Sequence, residues 1–290
     1  MPGKITSVMA LSGENYIGRY ANVARLKLLD SIVIPSITVN IESWPEITKK
    51  EMKQIEVIQG KALKRMFSMP KSTPYIGLLL ETGVMPMNAR LSYKKMMLFH
   101  NIINSDKERI IKKIVEYQKE ENRRGSWYKQ LSEIAAKYEI DLTEARKDRK
   151  EKWKVKVKEK IKIKTQNELE ITANKMSKLR TVAEEEHTMK GYLKILKPEE
   201  TTMIMKIRLN MIMVSKNYQH QNKYCACPAC GNEDDTTEHM YECEAFKSLR
   251  DIWQVKWEDI KSNDKQKLAN IVKYTNAAFK IREVMCCQID

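Results

Sequence analysis

Cys227-Pro228-Ala229-Cys230-Gly231 is followed by His239 and Cys243, a C-x2-C-x8-H-x3-C spacing that obliges a short segment to close on itself. A C-x2-C turn aims two thiolates at one point, and Gly231 lets the backbone fold tightly behind the second. Asp235 or Thr236 stands where it can cap a helix carrying His239 and Cys243 at i and i+4, so both face the same way. Cys227, Cys230, His239 and Cys243 therefore predict a closed tetrahedral Zn2+ site. It is structural rather than catalytic, because four protein ligands leave no open position for water. Such an ion contributes to folding, since the segment is too small to have its own core. Cys225 competes for the first ligand position, and the two-residue gap makes Cys227 the better chelate. The helix is expected to continue through Phe246, Leu249 and Trp253 and to pack the finger onto the rest of the chain.

The remainder reads as helix. Nine glycines and eight prolines in 290 residues are too few for the turns of a sandwich or an α/β fold, so the expected class is all-α. The architecture implied is an irregular helical bundle with a small C-terminal CCHC zinc-binding motif. Apolar residues recur at helical spacing over Asn15 to Val33, and Pro35 ends or kinks that segment. Thr48 with Glu51 forms a capping box for a helix running to about Ser68, its stripe made by Met52, Ile55, Ile58, Ala62, Leu63 and Met66. Thr73-Pro74 opens a short helix that Gly83 stops. Further helices are expected over Asn88 to Ile103, Lys107 to Lys119, Trp127 to Tyr138, Glu199 to Val214, Ala245 to Val255 and Asp264 to Val284.

A formal charge of +15 points outward, toward a polyanion. Its densest source is Glu144 to Lys164, where eleven Lys or Arg residues sit among four acids. The alternation of lysines with apolar residues over Lys152 to Lys164 has the period of a strand. Trp153, Val157, Ile161 and Leu169 also follow one helix face, and a helix is the reading adopted. Three consecutive regions follow: a helical region over 1–142, a basic helical linker over 143–197, and a zinc-finger-containing helical region over 198–290. The linker is the expected seam, since few apolar residues there could join two halves.

Arg146, Lys147, Arg149, Lys150, Lys152, Lys154, Lys156 and Lys158 are the candidate phosphate contacts, joined by Lys206 and Arg208 ahead of the finger. A solvated charged helix is the competing reading of that stretch. Trp153 is read as core in preference to a base-stacking residue. Nucleic acid is thus the expected partner, with an anionic membrane surface as its rival for a basic chain, and a docking module for another protein is the alternative. No segment approaches the ~18 apolar residues that span a bilayer. Four cysteines crowded beside a histidine suit metal binding in a reducing compartment, so the chain is expected inside the cell, nuclear or cytoplasmic, and not secreted. Cys286 and Cys287 are read as reduced thiols. His100 is read as packed or at the surface, His187 as solvated and His220 as too distant to be a ligand.

Leu26 to Pro86 resembles the thumb segment that follows the palm in non-LTR retrotransposon reverse transcriptases. That family's P-x-L-x-Y-G-x-E-x-W pattern corresponds to Pro35, Ile37, Val39, Asn40, Glu42 and Trp44. Glu56, Gln59, Leu63, Lys64 and Met66 stand in the places of its E-x-x-Q-x-x-x-L-R-x-I helix. Thr73-Pro74, Glu81-Thr82-Gly83 and Pro86 are similar to its next two turns. Thr236, Thr237, Glu238, His239 and Cys243 resemble its C-terminal zinc finger, and Ile207-Arg208-Leu209 the short helix before that finger. The departures are Val39-Asn40 in place of Tyr-Gly and the lack of the palm's aromatic-x-Asp-Asp hairpin. Asp234-Asp235 lies in the finger loop and is read as a solvated turn and helix cap. The resemblance therefore implies a non-catalytic, nucleic-acid-binding fragment that grips RNA or an RNA–DNA duplex, or an accessory part whose polymerase palm is separately encoded. Polymerase activity does not carry over.

Overall fold

The computed structural model describes residues 21–214, 226–233 and 235–287. Among them the chain is all-helical, with no strand. In chain order the helices are α1 (Ala21–Leu28), α2 (Ile34–Ile37), α3 (Lys49–Met66), α4 (Tyr75–Thr82), α5 (Met87–Ile103), α6 (Ile110–Glu121) and α7 (Trp127–Lys137). They continue as α8 (Glu144–Lys147), α9 (Lys150–Asn174), α10 (Tyr192–Ile195), α11 (Pro198–Arg208), α12 (Thr237–Glu242), α13 (Lys247–Trp253) and α14 (Lys265–Cys287). No helix is long and apolar enough to cross a membrane among the described residues.

Local chemistry accounts for several of the boundaries. Thr48 and Glu51 form the expected capping box at the start of α3, with the Thr48 amide donating to Glu51 Oε2 at 2.8 Å and the Glu51 amide donating to Thr48 Oγ1 at 3.2 Å. Gly83 stops α4 at φ +65°. A Cβ there would lie 2.4 Å from the Met189 amide nitrogen, so the position is closed to other residues on both counts. Asn210, at φ +51°, follows the end of α11 well short of the expected Val214.

The chain divides into two compact units whose segments interleave. Of the described residues, the basic-helix unit holds 29–62 and 84–172, and the cluster unit 21–28, 63–83, 173–214, 226–233 and 235–287. This differs from the three consecutive regions expected, because apolar spacing shows which residues bury but not what they bury against.

In the basic-helix unit, α5, α7 and α9 supply a core around Met96, Phe99, Leu131, Trp153, Val157 and Ile161. The Lys152–Lys164 stretch is helical, and Trp153, Val157 and Ile161 are fully buried one turn apart. That corrects the linker assignment: the helix is basic outside and central to this unit's core. Apolar residues off that stripe, Val155 and Ile163, remain exposed. Trp153 donates its indole N–H to the Met96 carbonyl at 3.3 Å and stacks on His100, which is buried and bonded to the Asp148 carbonyl. Lys95 is also buried, held by the Trp44 carbonyl, Gln130 Oε1 and the face of Trp127.

In the cluster unit, Arg208 is buried at the end of α11. Its Nε lies 3.0 Å from both carboxylate oxygens of Glu81, Nη2 lies 2.5 Å from Glu185, and Nη1 donates to the Ile260 carbonyl at 3.0 Å. The Tyr192 hydroxyl donates to the same Glu81 carboxylate at 2.5 Å. Burial works against the charge on Arg208, and Glu81, Tyr192 and Glu185 together outweigh it, so the guanidinium stays protonated. His187, expected in solvent, is buried here.

Trp153→Ala removes the largest fully buried side chain and is expected to destabilise the basic-helix unit by about 3–5 kcal/mol, measured by chemical denaturation. Burial, opposed by Glu46, lowers the Lys95 pKa from the usual 10.5 to about 8. The folded state then sheds a proton that the unfolded chain keeps, so stability rises with pH between about 8 and 10.5. Lys95→Met is expected to flatten that rise in a series of denaturation curves across this window.

Candidate metal centre

The four expected ligands converge. Cys227, Cys230, His239 and Cys243 place their ligand atoms within 4.8 Å of one another, and Cys230 Sγ lies 3.3 Å from His239 Nε2. Backbone hydrogen bonds build the C-x2-C turn: the Gly231 amide donates to the Cys227 carbonyl at 2.8 Å, and the Cys227 amide to the Asn232 carbonyl at 2.7 Å. Gly231 adopts φ +74°, a left-handed conformation that lets the backbone fold tightly behind the second thiol. Thr236 caps α12, its Oγ1 accepting from the His239 amide at 3.0 Å, and Cys243 is the C-cap of the same helix. The i, i+4 pair is thereby aimed at the turn.

Burial is graded across the cluster. Cys227 and Cys243 are buried, His239 is half-buried and Cys230 is exposed. Burial pushes the Cys243 thiol up to about 12. At Cys230 burial also opposes ionisation, but hydrogen bonds from the Asn232 amide and the neighbouring thiols hold the group below the ordinary cysteine value. Three thiols this close cannot all ionise unaided, and a cation at their centre would supply what is missing. The donor set and spacing fit a closed four-coordinate metal centre.

Three expectations about its surroundings change. α12 ends at Glu242 instead of continuing: Arg250 folds back to donate to the Cys243 carbonyl at 2.5 Å, and α13 begins only at Lys247. The finger is docked through α12 itself. The Tyr241 hydroxyl lies 2.8 Å from Thr275 Oγ1, and the Tyr274 hydroxyl donates to the Met240 carbonyl. Asp235 is neither solvated nor the cap, but buried and paired to Arg282. Motif reasoning does not reach Arg282, because it is remote from the cluster. The signal for it lies in α14, where Leu268, Ile271, Tyr274, Thr275, Ala278 and Arg282 form one buried stripe with a charge at its end. Cys225, His220 and Asp234 lie outside the described residues, as do the side chains of Cys286 and Cys287.

The expected phosphate contacts sort differently. Arg146, Lys147, Arg149, Lys150, Lys152, Lys154 and Lys158 are exposed, while Lys156 is half-buried and paired to Glu144. Lys152 pairs with Asp148 at 2.6 Å and Arg146 approaches Glu116 at 3.8 Å. Lys206 is half-buried. Arg208 is enclosed by Glu81 and Glu185 with 3% of its side chain exposed, which removes it from the set of groups that phosphate could reach.

The described residues form an all-helical fold with a Cys3His cluster whose ligand atoms are close enough to hold a metal ion. No family model matches the chain, and no curated protein or solved structure matches it. Cys230, as the exposed ligand, is the mildest place to open the centre. Cys230→Ser is expected to lose tightly bound divalent metal and to lower the melting temperature, and a chelator should shift the wild type in the same direction. Metal analysis and circular dichroism of both proteins check this.

Proposed function

We propose that this chain is a non-catalytic nucleic-acid-binding module, with a structural zinc ion in the Cys3His centre and RNA or an RNA–DNA duplex as its partner. The observation that carries the reading is the outer side of α9. Lys150, Lys154 and Lys158 are exposed at i, i+4 and i+8, a row of charges about 6 Å apart along a helix whose other side is anchored in a core. A rigid row of ammonium groups suits a phosphate backbone, and it supplies affinity without reading sequence. Arg149 and Lys147 extend the same basic end. Zinc is favoured for the centre by its thiolate-rich, four-coordinate donor set.

Kinship with the region following the palm of non-LTR reverse transcriptases is part of the proposal. Asn40 supports it, since the position where that family carries glycine adopts φ +54° here, the conformation glycine favours. On this reading the chain acts inside the cell, beside a polymerase palm encoded separately.

A second reading, a docking module for a protein, is favoured by α6. Ile110, Ile114 and Tyr117 are exposed along one face of that helix, with Ile111 beside them.

A salt-titrated binding assay with an RNA–DNA duplex separates the two. Affinity is expected to fall steeply with salt. Replacing Lys150, Lys154 and Lys158 with glutamine should weaken binding and lower the log–log salt slope by about 1 for each phosphate no longer neutralised. Salt-independent binding, or an unchanged slope in the triple variant, would overturn the phosphate row. Capture of a protein partner that survives excess nucleic acid would favour the second reading.

A further inference from the structure

Behind the cluster, three parts of its unit meet at one guanidinium. Arg282 of α14 forms a fork onto Asp235, with Nη1 at 2.9 Å from Oδ1 and Nη2 at 2.6 Å from Oδ2. The same Nη1 lies 3.5 Å from Cys227 Sγ. Arg282 and Cys227 are buried, and Asp235 is wholly so. Burying a charge pair is costly, and an apolar pair of similar size is often as stable, so stability alone does not explain these residues.

We infer that Arg282 is a positioning residue of the metal centre. The inference rests on reading the Cys3His cluster as a metal site. Asp235 balances the charge of the guanidinium, so what Arg282 offers the centre is local: an N–H dipole aimed at the buried Cys227 sulfur, which favours its thiolate. Its N–H directed at sulfur also fixes the Cys227 rotamer. Through Asp235, which lies immediately before the Thr236 cap, the same group sets the start of α12 and so the placement of His239 and Cys243. Arg282 thus orients ligands on both sides of the ion, the role that groups hydrogen-bonded to metal ligands play elsewhere. It also links the centre to α14, which already holds α12 through Tyr274 and Thr275.

Cobalt(II) and zinc(II) binding to the full chain tests this, with cobalt read by its thiolate charge-transfer absorption and zinc by competition with a chromophoric chelator. Arg282→Gln is expected to weaken both metals by about 10–100-fold and to shift the cobalt spectrum. Arg282→Lys, which keeps the charge but not the fork, should recover part of the affinity. A glutamine variant that folds and shows wild-type affinity and spectrum overturns the inference while leaving the metal site standing. If that variant fails to fold, judged by helix content, the lysine variant decides: a shifted spectrum supports the inference, and wild-type behaviour overturns it. Wild-type protein that takes up neither metal overturns the metal site and the inference together.

Discussion

A guanidinium removed from water must be surrounded by acceptors, and in the cluster unit that requirement gathers the chain. Arg208 satisfies it with Glu81 from α4, Glu185 from the stretch before α10, and the Ile260 carbonyl beyond the finger. Each partner is remote in sequence, so no one of them can be met unless the others are nearby. Removing one partner of such a buried pair costs far more than the pair itself contributes, because an uncompensated charge is left behind. The geometry is consequently specific: Glu81 is fully buried with both oxygens engaged, and Tyr192 closes the remaining side.

The basic-helix unit solves a different problem, how a strongly cationic segment can be part of a core. α9 places Trp153, Val157 and Ile161 one turn apart on one side and leaves most of its lysines on the rest of the circumference. The charge is then held on a rigid rod instead of a flexible tether. On the proposed reading, less conformational entropy would be lost on engaging an anion, because the side chains already share a fixed backbone.

What could be read directly from the residues was local. Thr48 and Glu51 announce their capping box three residues apart, Gly83 and Gly231 mark left-handed backbone, and the four ligands are legible from spacing because chelation depends on short loops. What could not be read depends on partners far along the chain. Arg208 looks like a surface cation until Glu81 is beside it, and Asp235 looks like a solvated loop residue until Arg282 arrives. The stretch around Trp153 reads as a linker because its apolar residues are few among the lysines, although Trp153, Val157 and Ile161 are fully buried. Its helical form is still visible, since Trp153, Val157 and Ile161 share one face.

The interleaving of the two units bears on how the chain acquires its shape during synthesis. Most of the basic-helix unit comes from one continuous stretch, 84–172, and its partners at 29–62 are already made by then. The cluster unit instead draws 21–28 and 63–83 together with the described residues from 173 onward. Its early segments emerge from the ribosome with their apolar faces uncovered and wait for the later ones. Segments that wait in this way are the ones a chaperone would engage.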